Sequence, residues 1–302
     1  MDFLIPGSDF FSWISYAQTL AKQHNITSRE LELLVTHFTD LSSLDLKLKK
    51  YRQKPYINSK ISWEKLKELW ELRVTKRTPI QYIIGECYWR NFSLTVTPDV
   101  LIPRPETELI IDLALEKTEE YPHLRQGKWL DLGTGSGAIA VALAQVFPNA
   151  EIVAVDRSEK ALNIAKQNAQ RLGLSERIKF YKGSWFEPIK EQKNSFSGIL
   201  SNPPYIPTSE IASLQPEIAN HEPIIALDGG EDGLQAIREI VEQSPQFLQD
   251  NGILILEIMT GQGKMVEEII KQKGQYTDME IRKDLAGLER FAIARKTPHQ
   301  GE

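Results

Sequence analysis

Four consecutive residues, Asn202-Pro203-Pro204-Tyr205, combine side chains that could manage a delicate reaction at nitrogen. Asn202 offers an acceptor oxygen and an NH2 donor, while the Pro203 carbonyl is an acceptor that no local amide need occupy. Two successive prolines remove two backbone donors and restrict the dihedrals, which holds Asn202 and its neighbouring carbonyls in place. Together the two acceptors can grip a planar NH2 group, and Tyr205 can lie against its face and exclude water. Such a grip suits methyl transfer to an amide. Its nitrogen is a poor nucleophile because the lone pair is delocalised into the carbonyl, so it needs electron density and aim rather than a strong base. Orientation contributes on the order of several kcal/mol to such a step, and the surplus proton can leave late, to water.

A second constellation predicts a nucleoside site. Trp129-Leu130-Asp131-Leu132 reads as an apolar strand entering the turn Gly133-Thr134-Gly135-Ser136-Gly137, with a helix expected over 138–146. Glycines there permit unusual dihedrals and let backbone approach a ligand. The next strand ends in Asp156, 19 residues after Gly137, where a carboxylate can accept from both ribose hydroxyls. That much fits NAD as well as S-adenosylmethionine. The G-x-G-x-G spacing favours the methyl donor, as does Asp131 beside the loop, placed to engage a methionine end directly or through water. Trp185, in the segment after the third strand, is suited to stacking on adenine, although a partly buried core indole is an equal alternative.

Elements must bring these residues together. Strands are predicted at 128–132, 151–156, 178–181, 198–201, 252–258, 280–283 and 290–295, with helices between most of them. That alternation implies an α/β domain with a mainly parallel sheet. The last two strands have no helix between them and are expected to pair antiparallel. Ligands lie beyond the carboxyl ends of such strands, so the glycine loop and the Asn-Pro-Pro-Tyr turn are expected to face one crevice.

The first 79 residues read differently. Phe10, Ile14, Ala17 and Ala21 recur at helical spacing, as do Leu31, Leu34, Val35 and Phe38 behind a Thr27/Glu30 capping box. A third helix is predicted behind Ser62 as N-cap, with Ile61 and Leu66 as a hydrophobic staple, and is expected to end by Pro79. This segment carries 13 basic and 9 acidic residues, a net +4, which leaves −9 on the remainder. The difference in sign, with Lys47, Lys49, Lys50, Arg52 and Lys54 concentrated between the helices, suggests either separate surfaces with separate tasks or simply a solvated lysine-rich loop, and 81–100, with bends at Gly85 and Arg90-Asn91, is expected to form a β-hairpin connector.

The 302 residues accommodate two domains, and 41% apolar with 25% charged residues is ordinary for a globular protein. A net charge of −5 gives no footprint for tight polyanion binding. A single cysteine, Cys87, allows no internal disulfide and fits a reducing compartment. There is no signal-peptide pattern and no run of about 18 apolar residues, so the expected setting is cytoplasmic, with no membrane and no direct nucleic-acid partner. His221 beside Glu222 lacks a supporting ligand set, so no metal is expected.

On these motifs the chain resembles the protein-glutamine N5-methyltransferases of peptide chain release factors, the HemK family. The resemblance extends to Pro79–Gly85, Leu101-Ile102-Pro103-Arg104-Pro105-Glu106-Thr107-Glu108, Glu222-Pro223, Ala226–Gly230, Asp232-Gly233-Leu234, Asp284, Gly287 and Arg290. It implies a helical domain over 1–79 that docks the release factor, a hairpin linker over 80–105, and a seven-stranded Rossmann-like catalytic domain over 106–302. It also implies that Gly133 to Gly137, Asp156, Trp185 and Asn202 contact S-adenosylmethionine, and that Asn202, Pro203, Pro204 and Tyr205 bind the acceptor glutamine. Glu257-Ile258-Met259 stands where the family tends to have Glu-Ile-Gly, which puts the local turn in question. Arg104 and Glu106 are expected either to border the active site or to form an interdomain ion pair. Three other readings stay open: glutamine methylation of a ribosomal protein, adenine-N6 methylation of nucleic acid, and a noncatalytic binding module.

Overall fold

The computed structural model describes residues 3–299. Its contacts divide the chain into one unit of Met1–Gly85 with Pro216–His221 and another of Glu86–Gln215 with Glu222–Glu302. Among the described residues no helix is long and apolar enough to cross a membrane.

In the first unit strand β1 (Phe3–Pro6) precedes helices α1 (Gly7–Gln23), α2 (Ser28–Phe38) and α3 (Ser43–Lys47), followed by strand β2 (Tyr56–Ser59) and helices α4 (Trp63–Thr75) and α5 (Ile80–Ile84). Phe10, Ile14, Ala17 and Ala21 of α1 share one core with Leu31, Leu34 and Val35 of α2 and Leu66 and Trp70 of α4, as their helical spacing demands. Ser62 caps α4 by accepting from Lys65 N. The capping box expected at Thr27 does not form: the Thr27 hydroxyl donates to Glu30 Oε1 at 3.4 Å rather than capping a backbone N–H, and the Glu30 carboxylate also accepts from Nε and Nη2 of Arg73. A capping box forms instead at Ser42 and Asp45. The lysine-rich stretch is not a plain loop: it contains a short 3-10 turn, Lys50–Gln53, around buried Tyr51. The β1–β2 antiparallel pair was not foreseen either. Pro216–Ala219 adds one helical turn to this unit, where Glu217 Oε1 accepts from Arg73 Nη2 at 3.0 Å and Arg77 Nη2 at 2.6 Å.

The hairpin connector is shorter than expected. Residues 80–84 are helical because Pro79 supplies the free carbonyl at the start, and Gly85 closes the helix at φ 76°, a left-handed cap. The hairpin itself pairs β3 (Glu86–Trp89) with β4 (Phe92–Thr95) about a turn with Arg90 at φ 51°.

The second unit continues with α6 (Leu109–Lys117), β5 (Lys128–Leu132), α7 (Ala138–Val146), β6 (Glu151–Asp156), α8 (Glu159–Arg171), β7 (Ile178–Lys182), β8 (Phe196–Ser201), α9 (Gln235–Phe247), β9 (Leu248–Glu257), α10 (Gly263–Lys273), β10 (Tyr276–Lys283) and β11 (Glu289–Lys296). Seven strands form one sheet in the order β10-β11-β9-β8-β5-β6-β7. The five central and right-hand strands run parallel, and β11 is antiparallel to both neighbours. Trp129, Ile152, Ala154 and Leu200 enter a core on one face, while Leu130, Leu132, Val153, Val155 and Ile199 enter the core on the other. Burial on both faces is what makes these strands almost continuously apolar. Leu132 lies opposite both Val155 and Ser201, so β5, β6 and β8 end level and release their loops at the same edge.

Candidate active site

The glycine turn is fastened to the end of β6. Gly133 N and Thr134 N both donate to Val155 O, at 2.9 and 3.0 Å. Asp156 Oδ2 accepts from Gly135 N at 2.8 Å, and Oδ1 accepts from Ser158 N at 2.8 Å. Burial raises the Asp156 carboxyl above the ordinary carboxylate value against these bonds. Gly137 opens α7 at φ 83°, and a Cβ there would lie 3.0 Å from Ala165 Cβ. Glycine therefore meets both the dihedral and the close approach of α8. Trp185, itself at φ 44°, sets its ring edge 3.6 Å from where a Cβ on Gly133 would stand.

Asp131 is fully buried. Its Oδ2 accepts from Thr134 Oγ1 at 2.5 Å and Ala140 N at 3.1 Å, so it ties the loop to the first turn of α7. Its Oδ1 is buried with no partner in the protein. Burial pushes the carboxyl up to about 7, against those two hydrogen bonds.

Asn202 to Tyr205 leave the end of β8 beside this turn. Ser201 Oγ donates to Leu132 O at 2.6 Å and joins the two strand ends. Asn202 Nδ2 donates to Thr107 Oγ1 at 3.2 Å, which in turn donates to Glu257 Oε2 at 2.6 Å. The Tyr205 hydroxyl donates to Glu257 Oε1 at 3.1 Å. Burial, then the nearby Glu257 charge, raises the Tyr205 phenol and keeps it protonated. Gln262 Nε2 donates to Tyr205 O at 3.0 Å and to Gly233 O at 3.3 Å. Gly233, at φ 75°, passes so close that a Cβ would sit 2.3 Å from Tyr205 O.

A cleft of about 700 Å³, counted to its open mouth, is lined by Gly133, Gly135, Asp156, Trp185, Asn202 and Pro204 among others. Of the residues singled out in the sequence, Asp131, Thr134, Ser136 and Gly137 are buried behind the loop, and Pro203 and Tyr205 flank Pro204 without lining the cleft themselves. The sequence alone does not single out Thr107, Glu257 or Gln262 as site residues, although Thr107 falls inside the Leu101–Glu108 motif and Glu257 opens the unusual Glu-Ile-Met. The turn after Glu257 is closed by Gln262, whose Oε1 accepts from Met259 N at 3.0 Å. Arg104 donates to buried Glu222 at 2.7 Å, both residues belonging to the second unit.

These residues fit a nucleoside methyl donor. Asp156 lines the cleft and retains lone pairs beyond its two backbone donors, and the bare backbone at Gly133 and Gly135 leaves room between loop and Trp185.

A methyltransferase domain model matches residues 124–289. The chain is 46% identical to a release factor glutamine methyltransferase of Synechocystis sp. over 96% of this chain and 97% of that protein. It is 47% identical to a protein of the same name from Thermosynechococcus vestitus over 97% of this chain and 100% of that one. The solved hMettl16 catalytic domain, in complex with the MAT2A 3'UTR hairpin 6, shares the fold at a TM-score of 0.55 with 14% identity, covering 88% of this chain and 90% of that one. With the sheet, the loop and the Asn-Pro-Pro-Tyr turn in place, this similarity along nearly the whole chain shows that it belongs to the release factor glutamine methyltransferase family.

Proposed function

We propose that the protein transfers a methyl group from S-adenosylmethionine to the side-chain amide nitrogen, N5, of a glutamine in peptide chain release factors. The observation that carries this reading is the placement of Asn202 and Pro204 on the same cleft wall as Gly133, Gly135 and Asp156. When bound, S-adenosylmethionine supplies an activated sulfonium methyl. Asp156 would hold the ribose hydroxyls and Trp185 would cover the adenine, while Asp131, buried behind the loop, fastens the glycine turn to α7.

Asn202 Oδ1 and the Pro203 carbonyl accept the two N–H bonds of the glutamine amide, and Tyr205 bounds its plane. The two acceptors turn the nitrogen lone pair toward the methyl, and water takes the surplus proton. Glutamate at the acceptor position lacks those N–H bonds and is not methylated on nitrogen. Residues 1–79, net positive and without catalytic motifs, dock the release factor in this reading, and their removal raises KM while sparing donor binding.

The test presents a release factor, a ribosomal protein and adenine-containing DNA side by side with labelled donor. Label on one glutamine of the release factor, with the rate reduced about 10²-fold or more in Asn202→Ala, is the expected result. Label confined to adenine N6 or to the ribosomal protein overturns the substrate assignment.

A further inference from the structure

Asn202 has an amide with two unlike ends, and only its oxygen is useful to an incoming NH2 group. Its Nδ2 faces Thr107 Oγ1 at 3.2 Å, and Thr107 Oγ1 faces Glu257 Oε2 at 2.6 Å. Glu257 is 1% exposed and Thr107 4% exposed, so water does not compete for these contacts. The same carboxylate accepts from Tyr205 through its other oxygen. Asn202 and Tyr205, the two ends of the turn, thus refer to one buried group on β9.

We propose that Glu257, acting through Thr107, is the positioning residue that fixes which end of the Asn202 amide faces the acceptor. Burial raises the Glu257 carboxyl above the ordinary carboxylate value, yet both of its oxygens accept from a hydroxyl, Thr107 on one side and Tyr205 on the other, so the single proton of the Thr107 hydroxyl is committed to Glu257. What Thr107 has left for Asn202 is a lone pair, and a lone pair accepts only the NH2 end. Asn202 Oδ1 is thereby turned outward, toward the amide to be methylated. The reversed amide would place two acceptors against each other or strip Glu257 of its donor, and a buried group left so is costly. Tyr205 reinforces the direction: its phenol keeps its proton and donates it to Glu257, as Thr107 does. The acceptor's identity as an amide rather than a carboxylate is therefore encoded two hydrogen bonds behind the residue that touches it.

This inference rests on the methyl-transfer reading, and its test separates the two. Wild type, Thr107→Val, Thr107→Ser and Glu257→Gln are compared for kcat and KM with release factor, for S-adenosylmethionine affinity by calorimetry, and for inhibition by a release factor carrying glutamate in place of the acceptor glutamine. Thr107→Val is expected to lose about tenfold or more in kcat with donor affinity changed less than about twofold, because the amide is free to flip. Thr107→Ser restores the hydroxyl and recovers most of that loss. Glu257→Gln can donate to Thr107 and release its proton toward Asn202, so the NH2 end turns outward. The glutamate-bearing release factor then inhibits this variant at least several-fold better, relative to the KM for glutamine, than it inhibits wild type. An unlabelled release factor with wild-type enzyme overturns the function itself. A labelling wild type with unchanged kcat in Thr107→Val, or with an unchanged glutamate-to-glutamine ratio in Glu257→Gln, overturns the relay alone. Because that ratio is internal to each variant, it remains decisive if Thr107→Val does not fold.

Discussion

The Tyr205 hydroxyl donates to Glu257 Oε1 across 3.1 Å and ties the last residue of the Asn-Pro-Pro-Tyr turn to the end of a neighbouring strand. Tyr205→Phe keeps the ring and removes this donor. The buried carboxylate loses one of its two hydroxyl partners, a cost of about 1–3 kcal/mol. Methyl transfer is expected to fall by about three- to tenfold, less than in Asn202→Ala, because the remaining Thr107 contact still orients Asn202. Single-turnover rates for the two variants give the comparison, and an equal loss in both contradicts this ordering.

Asp156 has a double task, holding Gly135 N and Ser158 N while it faces the cleft. Asp156→Ala is expected to weaken S-adenosylmethionine binding by about 1–3 kcal/mol, the scale of lost charged hydrogen bonds. Calorimetry on the folded variant measures it, and unchanged affinity removes Asp156 from the donor site.

Asp131 makes stability depend on pH. Its carboxyl is pushed up to about 7 in the folded protein by burial, against about 3.9 in an unfolded chain. The folded state therefore holds the proton more tightly. The stability this contributes is fully present below about pH 3.9 and is lost as pH rises through about 7. From pH 5 to pH 8 the wild type is expected to lose about 2–3 kcal/mol relative to Asp131→Asn, which cannot ionise. Urea unfolding of both proteins without donor at the two pH values reads the difference directly. A gap that does not change with pH shows that Asp131 is ionised throughout.

Glu217 is the anionic partner of Arg73 and Arg77 in the first unit. Arg73 is 4% exposed, so Glu217→Ala leaves a buried guanidinium with Glu30 as its carboxylate partner. A loss of about 1–3 kcal/mol is expected, seen as a lower Tm. An unaltered melting curve means that the Glu30 contact is sufficient.

What was legible in the chain was local. The β5 strand, the glycine turn and α7 are contiguous, and their dihedral demands and apolar spacing act over a few residues, so their limits could be read directly. Asn202 to Tyr205 likewise announced themselves, since two prolines restrict their own backbone. The helix over 80–84 is not legible in the sequence, because a short apolar run has no periodicity to separate it from a strand. The Thr27 capping box does not form because Glu30, 43 residues from Arg73 in sequence, shares its carboxylate between that guanidinium and the Thr27 hydroxyl, which leaves neither side chain on a backbone N–H.

The arrangement that aims the site belongs to tertiary structure alone. Thr107 meets Glu257 across 150 residues of sequence, Asn202 meets Thr107 across 95, and Gln262 meets Tyr205 across 57. A hydrogen bond depends on distance and direction in space, and no spacing rule links residues brought together by separate strands of one sheet. The sequence by itself determined the glycine turn after β5 and the proline-restrained turn of Asn202 to Tyr205 after β8. Only folding, by ending β5, β6, β8 and β9 at one edge, decided that the Glu257 carboxylate stands behind Asn202 through Thr107 and behind Tyr205 directly.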